Sequence, residues 1–187
     1  LDEALELHRK ALNLKLKAVG KTHESVASSY TCIGGVLESQ DKLNEAMKHY
    51  EKALDIYRRT VGHSHSFVAN CLQDIGNLLQ EQDKFSQALE FFHSALAIKR
   101  TNYGEEHPSI ANTYLCIASV LECQDKLDEA IKYSEKALQM KKVTIGEKHS
   151  SLTPVYSTLG KIYFTQGKLD EAMEMQWEAL KITKNAV

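Results

Sequence analysis

The segment LDEALELHRKAL at residues 1–12 returns as LNEAMKHYEKAL from Leu43, FSQALEFFHSAL from Phe85, LDEAIKYSEKAL from Leu127 and LDEAMEMQWEAL from Leu169, each step being 42 residues. A unit this short cannot bury a hydrophobic face by itself, so the chain must stack unit upon unit into one continuous core. A second block recurs between these segments. It holds glycine at Gly20, Gly62, Gly104 and Gly146, and histidine three residues later at His23, His65, His107 and His149. Gln40, Gln82, Gln124 and Gln166 align as well, each two residues before a lysine.

Every unit carries two helical patterns. In one of them Ala69, Leu72, Ile75, Gly76 and Leu79 share a face at helical spacing, which predicts a helix, here termed A, over Phe67 to Glu81. The other begins at about Phe85, with Phe85, Ala88, Leu89, Phe92, Ala95, Leu96 and Ile98 as its apolar stripe, and predicts a helix B. Asp41, Asp83, Asp125 and Gly167 sit between A and B, where residues that tolerate left-handed backbone end a helix. The next helix A is predicted to start around Glu24, Ser66, Pro108 or Ser150, proline being accepted in a first turn. Small residues recur in A (Gly34, Gly76, Ala118, Gly160) and in B (Ala46, Ala88, Ala130, Ala172), and large ones at Tyr30, Leu72, Tyr114 and Tyr156. Alternating bulk of this kind is expected of closely packed helices. The predicted organisation is a single array over 1–187: residues 1–19 form a helix B without its A partner, followed by A–B pairs at 24–61, 66–103, 108–145 and 150–185.

Composition narrows the function. A formal net charge of -2 provides no basic stripe to neutralise a phosphate backbone, so no nucleic-acid partner is expected. No apolar run approaches the roughly 20 residues of a membrane span, and no membrane insertion is expected. Cys32, Cys71, Cys116 and Cys123 form no C-x-x-C pair and read as free thiols in helices, which points to a cytoplasmic protein. The chain opens on Leu1 rather than methionine, and is expected to be part of something longer.

The order large, Leu/Ile, Gly/Ala, Leu/Tyr in helix A, then Ala, aromatic, Ala in helix B, resembles the tetratricopeptide repeat across the whole chain. The 42-residue length and the linker Gly104-Glu105-Glu106-His107-Pro108 resemble the long repeats of kinesin light chains and nephrocystin-3. The resemblance implies an all-α fold, a right-handed superhelical α-solenoid with helices A lining its concave surface. It also implies a non-catalytic scaffold that binds a peptide or a partner-protein segment in that groove, or else an architectural spacer within a motor adaptor or signalling protein. Members that clamp a terminal carboxylate use lysine and arginine in the groove, and kinesin light chains carry paired asparagines there, at the positions that hold Thr31-Cys32, Gln73-Asp74, Leu115-Cys116 and Ser157-Thr158 in this sequence.

The groove candidates are the helix A positions not needed for packing: Thr31, Asn70, Gln73, Asn77, Gln80, Asn112, Leu115, Ser119, Glu122 and Lys161. Asparagine and glutamine amides both donate and accept, so a row of them can pair with the backbone of an extended peptide. Helix A supplies Glu24, Glu38, Asp74, Glu81 and Glu122 against Lys161, which predicts a mildly acidic face and a neutral to basic partner. The histidine column invites a metal reading, but rings on helices about 8 to 10 Å apart cannot share an ion bound at about 2.1 Å. A hydrogen bond fixing the linker is expected instead, with no metal or cofactor. No catalytic glycine loop, nucleophile elbow or H-E-x-x-H motif occurs, so no enzyme activity is expected. Trp177 replaces the polar residues of its column (Arg9, Glu51, His93, Glu135), as a cover for a further element or an exposed anchor. Apolar faces on the first and last helices B could support end-to-end self-association.

Overall fold

The computed structural model describes residues 1–185, and everything regular in them is helical. The helices are α1 (Asp2–Val19), α2 (Glu24–Glu38), α3 (Leu43–Thr60), α4 (Ser66–Glu81), α5 (Phe85–Tyr103), α6 (Pro108–Cys123), α7 (Leu127–Ile145), α8 (Thr153–Thr165) and α9 (Leu169–Asn185). A short 3-10 turn, Ser150–Leu152, precedes α8. Even-numbered helices are the A helices and odd-numbered ones the B helices. The predicted starts at Glu24, Ser66 and Pro108 coincide with the observed ones. In the fourth repeat Pro154 sits in the first turn of α8, so the helix proper begins at Thr153 and Ser150 opens the 3-10 turn.

The A-to-B turns are alike for a stated reason. Asp41, Asp83, Asp125 and Gly167 have φ of 59°, 57°, 61° and 77°. Left-handed backbone there lets the next residue's N–H reach back into the helix: Lys42 to Leu37 O, Lys84 to Leu79 O, Lys126 to Leu121 O and Lys168 to Tyr163 O, each at 2.9 Å. These bonds satisfy carbonyls that the end of helix A would leave without a donor. At the other turn, the histidine column caps α2, α4 and α6, and in the fourth repeat the 3-10 turn that leads into α8. Nδ1 of His23, His65, His107 and His149 accepts the N–H of Ser25, Phe67, Ser109 and Ser151 at 3.1, 3.2, 3.2 and 3.2 Å. The expected linker bond is therefore a helix N-cap, made by an imidazole nitrogen instead of the usual hydroxyl or carboxylate oxygen.

The chain forms two compact units, one over Leu1–Asn102 and one from Tyr103 onward. The first is built on Val26, Ala27, Ile33, Leu37, Ala53, Val68, Ala69, Ile75 and Phe92, all at most 2 % exposed. The second contains Ile110, Ile117, Val155 and Ile162, and a cluster of Leu152, Tyr156, Ala179 and Ile182. The small helix A column has a closer counterpart than the alanines of helix B. A Cβ on Gly34 would lie 2.6 Å from Tyr50 Cε1, and one on Gly76 would lie 2.5 Å from Phe92 Cε1. In the third repeat alanine is tolerated at 118, and the corresponding helix B residue shrinks to Ser134, fully buried. Size is thus conserved across the pair of columns rather than within either.

Candidate partner-binding faces

In the first unit the exposed edge of α2 and α4 carries Ser28, Asn70 and Glu81 in the open and Thr31, Glu38, Gln73, Asp74, Asn77 and Gln80 half-buried. The unit therefore brings together five of the predicted candidates: Thr31, Asn70, Gln73, Asn77 and Gln80. Thr31, Gln73 and Gln80 are already engaged within the protein. Thr31 Oγ1 donates to Ala27 O at 3.2 Å, and Gln73 Oε1 accepts from Lys99 Nζ at 2.5 Å. Lys99 belongs to α5 and is only 3 % exposed, so its stem lies in the core while its ammonium is delivered to the edge of α4.

Lys99 is one member of a column that the sequence reading did not single out. Lys15 of α1 donates to Ser29 Oγ at 2.8 Å and to Ser25 O at 3.2 Å, and Lys141 of α7 donates to Ser151 O at 3.4 Å. Burial pushes the Lys141 ammonium below its ordinary range. Tyr57 occupies the same column in α3, and burial raises its phenol above the ordinary range. Three helices B, α1, α5 and α7, thus each send a lysine tip to a neighbouring helix A or to the turn that precedes it. The available signal was a lysine recurring at Lys15, Lys99 and Lys141 inside a position expected to be apolar.

Acidic groups concentrate beside these amides. Tyr50 of α3 donates its hydroxyl to Glu38 Oε2, and burial followed by that bond raises the phenol far above its usual range. Asp74 is pushed up to about 6, mainly by burial and then by the Glu38 charge, against the pull of Lys99. Glu81 is also raised, by burial and then by Glu38 and Asp41. Cys71, one turn before Asp74, is buried with its Sγ–H directed to Tyr50 O at 3.3 Å, and burial lifts its thiol to about 12. These shifts share one leading cause, burial, to which the charge of neighbouring carboxylates adds.

The second unit arranges the other five candidates differently. Asn112 is exposed, and Leu115, Ser119 and Glu122 are half-buried along α6. Lys161 of α8 reaches Glu122, with Nζ 2.8 Å from Oε1, so these two predicted contacts neutralise each other across adjacent A helices. Hydrogen bonding to Glu122 raises the Lys161 ammonium above its ordinary range. Phe164 stands 68 % exposed on α8, an apolar contact for which the fourth unit's sequence offered no repeat counterpart. Trp177 of α9 is 58 % exposed and borders a shallow groove with Met173, Asp170 and Glu174.

The model of the tetratricopeptide repeat family matches residues 1–58, 25–101 and 109–185. The chain belongs to that family. Its fold is similar to that of BtubC (BKLC) from P. vanneervenii, with a TM-score of 0.85 and 20% identity over 99% of this chain and 74% of that one. It is also similar to a putative kinesin light chain of Podosopora anserina with nearly identical TPR-like repeats, with a TM-score of 0.77, 20% identity, and coverage of 99% and 88%. A third likeness is the Rap conjugation gene regulator of the plasmid pLS20, determined in complex with the Phr* peptide, with a TM-score of 0.78, 18% identity, and coverage of 97% and 48%. No curated protein matches the sequence. The kinesin-light-chain-like character expected from the 42-residue period is thus met in the fold, and this tetratricopeptide protein is an all-α stack of helix pairs. No described helix is long and apolar enough to cross a membrane.

Proposed function

We propose that this tetratricopeptide protein is a non-catalytic, cytoplasmic scaffold that holds a neutral to basic peptide or protein segment along the exposed edges of its A helices. The observation that carries the reading is the first unit's strip, in which Glu38, Asp74 and Glu81 accompany Asn70 and Asn77. The two asparagine amides make no hydrogen bond among the described residues, which leaves them able to pair with a peptide backbone. Asp74, lifted to about 6 by burial and then by the Glu38 charge, gains from a cation brought by the partner. Peptide binding by a fold-level relative, the pLS20 Rap regulator with its Phr* peptide, supports the reading as an analogy. In the second unit, Leu115, Ser119 and Phe164 offer a more apolar edge beside the Glu122–Lys161 pair.

The test is a peptide array of matched acidic, neutral and basic sequences, followed by calorimetry on the selected peptide with the Asn70→Ala/Asn77→Ala variant. Selection of basic or neutral peptides and a weakening of roughly tenfold or more in the variant is the expected result. Selection of acidic peptides would remove the proposal. A second reading, self-association, is favoured by Leu7 and Leu14 of α1, 65% and 69% exposed, and by Leu169 and Met173 of α9, 60% and 70% exposed. Light scattering across a concentration series separates the two, because a scaffold that acts alone keeps a constant mass.

A further inference from the structure

The first unit has a second concavity, on the side of its B helices and away from the strip just described. Leu16 of α1, Lys21 of the linker, Tyr30 of α2, and Lys48, Lys52 and Ile56 of α3 enclose about 580 Å³. Tyr30 forms an aromatic wall, with Lys52 Nζ 5.6 Å from its ring centroid and the His49 ring packed against it at 5.6 Å. Burial, and then Lys52 and Arg9, hold the His49 ring below its ordinary pKa. Leu16 and Ile56 make the wall apolar.

Lysines outnumber carboxylates in this pocket by three to two. Asp55 on its rim is already taken by Arg59, with Nε 3.0 Å from Oδ1. Glu51 and Asp55 together face three ammonium groups, none of which makes an ion pair among the described residues. The arrangement is not a chance gap between side chains, because the second unit builds it again two repeats later. There Tyr114 meets the Tyr133 ring at 5.6 Å, Lys136 Nζ lies 5.7 Å from Tyr133, and the pocket is about 300 Å³. That copy differs in charge: Lys136 is its lysine and the linker contributes Glu106. Tyr114 repeats the aromatic wall of Tyr30 and Met140 the apolar place of Ile56, whereas Leu16 has no counterpart there and the excess of cations belongs to the first unit.

We propose that the Tyr30 pocket is a second docking site, for an acidic segment of a partner protein in which an apolar side chain neighbours a carboxylate. The apolar side chain lies on Tyr30, Leu16 and Ile56, and the carboxylate is met by Lys21, Lys48 and Lys52. The volume suits one or two side chains and is open enough for a chain to pass over it. The helix A strip and this pocket therefore select opposite charges, so one protein can hold a basic segment on one side of the first unit and an acidic segment on the other.

The experiment is fluorescence anisotropy with a labelled, end-capped peptide of alternating glutamate and leucine on the full chain, with the lysine and leucine peptide as counterpart. Two variants of equal net charge are compared: Lys48→Glu/Lys52→Glu in the pocket and Lys148→Glu/Lys184→Glu outside it. All four lysines are surface residues, and circular dichroism verifies that both variants keep wild-type helicity. The expected result is binding of the acidic peptide that weakens by roughly tenfold or more in the pocket variant alone. Equal weakening in both variants would reduce the effect to net charge and overturn the site. So would absence of binding to the wild type, or binding that appears only when the peptide is phosphorylated and is displaced by inorganic phosphate. None of these outcomes bears on the helix A strip, which is read with the asparagine variant and a basic peptide.

Discussion

Gly76→Ala should destabilise the protein although alanine is the better helix former. On α4 a new Cβ at position 76 would stand 2.5 Å from Phe92 Cε1, 2.8 Å from Cδ1 and 3.0 Å from Cζ. Comfortable carbon contacts lie at about 3.5–4.0 Å, so the ring must retreat by roughly 1 Å. Phe92 is fully buried, so a displaced ring must push on the core around it. Overpacking of this kind costs about 1–3 kcal/mol, centred near about 2, and the helix propensity gain returns about 1 kcal/mol, leaving a net loss of about 1 kcal/mol. Urea unfolding followed by far-UV circular dichroism measures it as a lower midpoint. The decisive comparison is made in a Phe92→Ala background. There the clash partner is gone and Gly76→Ala should be neutral or stabilising, so the two changes should couple by about 1–3 kcal/mol. The natural pair of Ala118 with Ser134 is the same compensation already present in the third repeat. A Gly76→Ala variant as stable as wild type, or a coupling near zero, would refute the reasoning.

His23→Ala should cost about 1 kcal/mol through loss of the α2 cap, and His23→Asn should retain most of it because asparagine also accepts from the first-turn amides; thermal unfolding of the two variants checks this. Asp74→Asn should stabilise the protein on the order of 1–2 kcal/mol above about pH 6, after allowance for solvent screening. The sign follows from the raised value: the folded state holds the Asp74 proton more tightly than the unfolded one, so wild-type stability falls as pH rises from about 4 to about 6 and is level above that. Chemical unfolding at pH 4 and pH 7 should show the gap between variant and wild type closing at the lower pH. Tyr50→Phe should cost about 1 kcal/mol, since it withdraws the hydroxyl that Glu38 accepts, and the same unfolding assay reads it.

The fold was legible because each of its causes is local. Aspartate or glycine at 41, 83, 125 and 167 dictates the turn, histidine caps the next helix, and apolar spacing sets the buried faces. The candidate face was legible only as a list of unpacked positions. Which of them are free depends on side chains from another helix: Lys99 holds Gln73 from 26 residues away, and Tyr50 orients Glu38 from 12. A long lysine in an apolar stripe reads as a misfit in sequence, and only the packing shows that its stem is core and its tip is not. The pairing of Gly34 with Tyr50 and of Gly76 with Phe92 was hidden for the same reason, because a column of small residues does not name the large residue that fills it.

The most direct test of the central claim is an amide chemical-shift map of the chain titrated with the basic peptide selected from the array. The account predicts that the perturbed amides gather on α2 and α4, around Thr31, Glu38, Asn70, Asp74 and Asn77, and that the asparagine variant abolishes them. Perturbations confined to α3 and α5, or to the exposed apolar residues of α1 and α9, would contradict it.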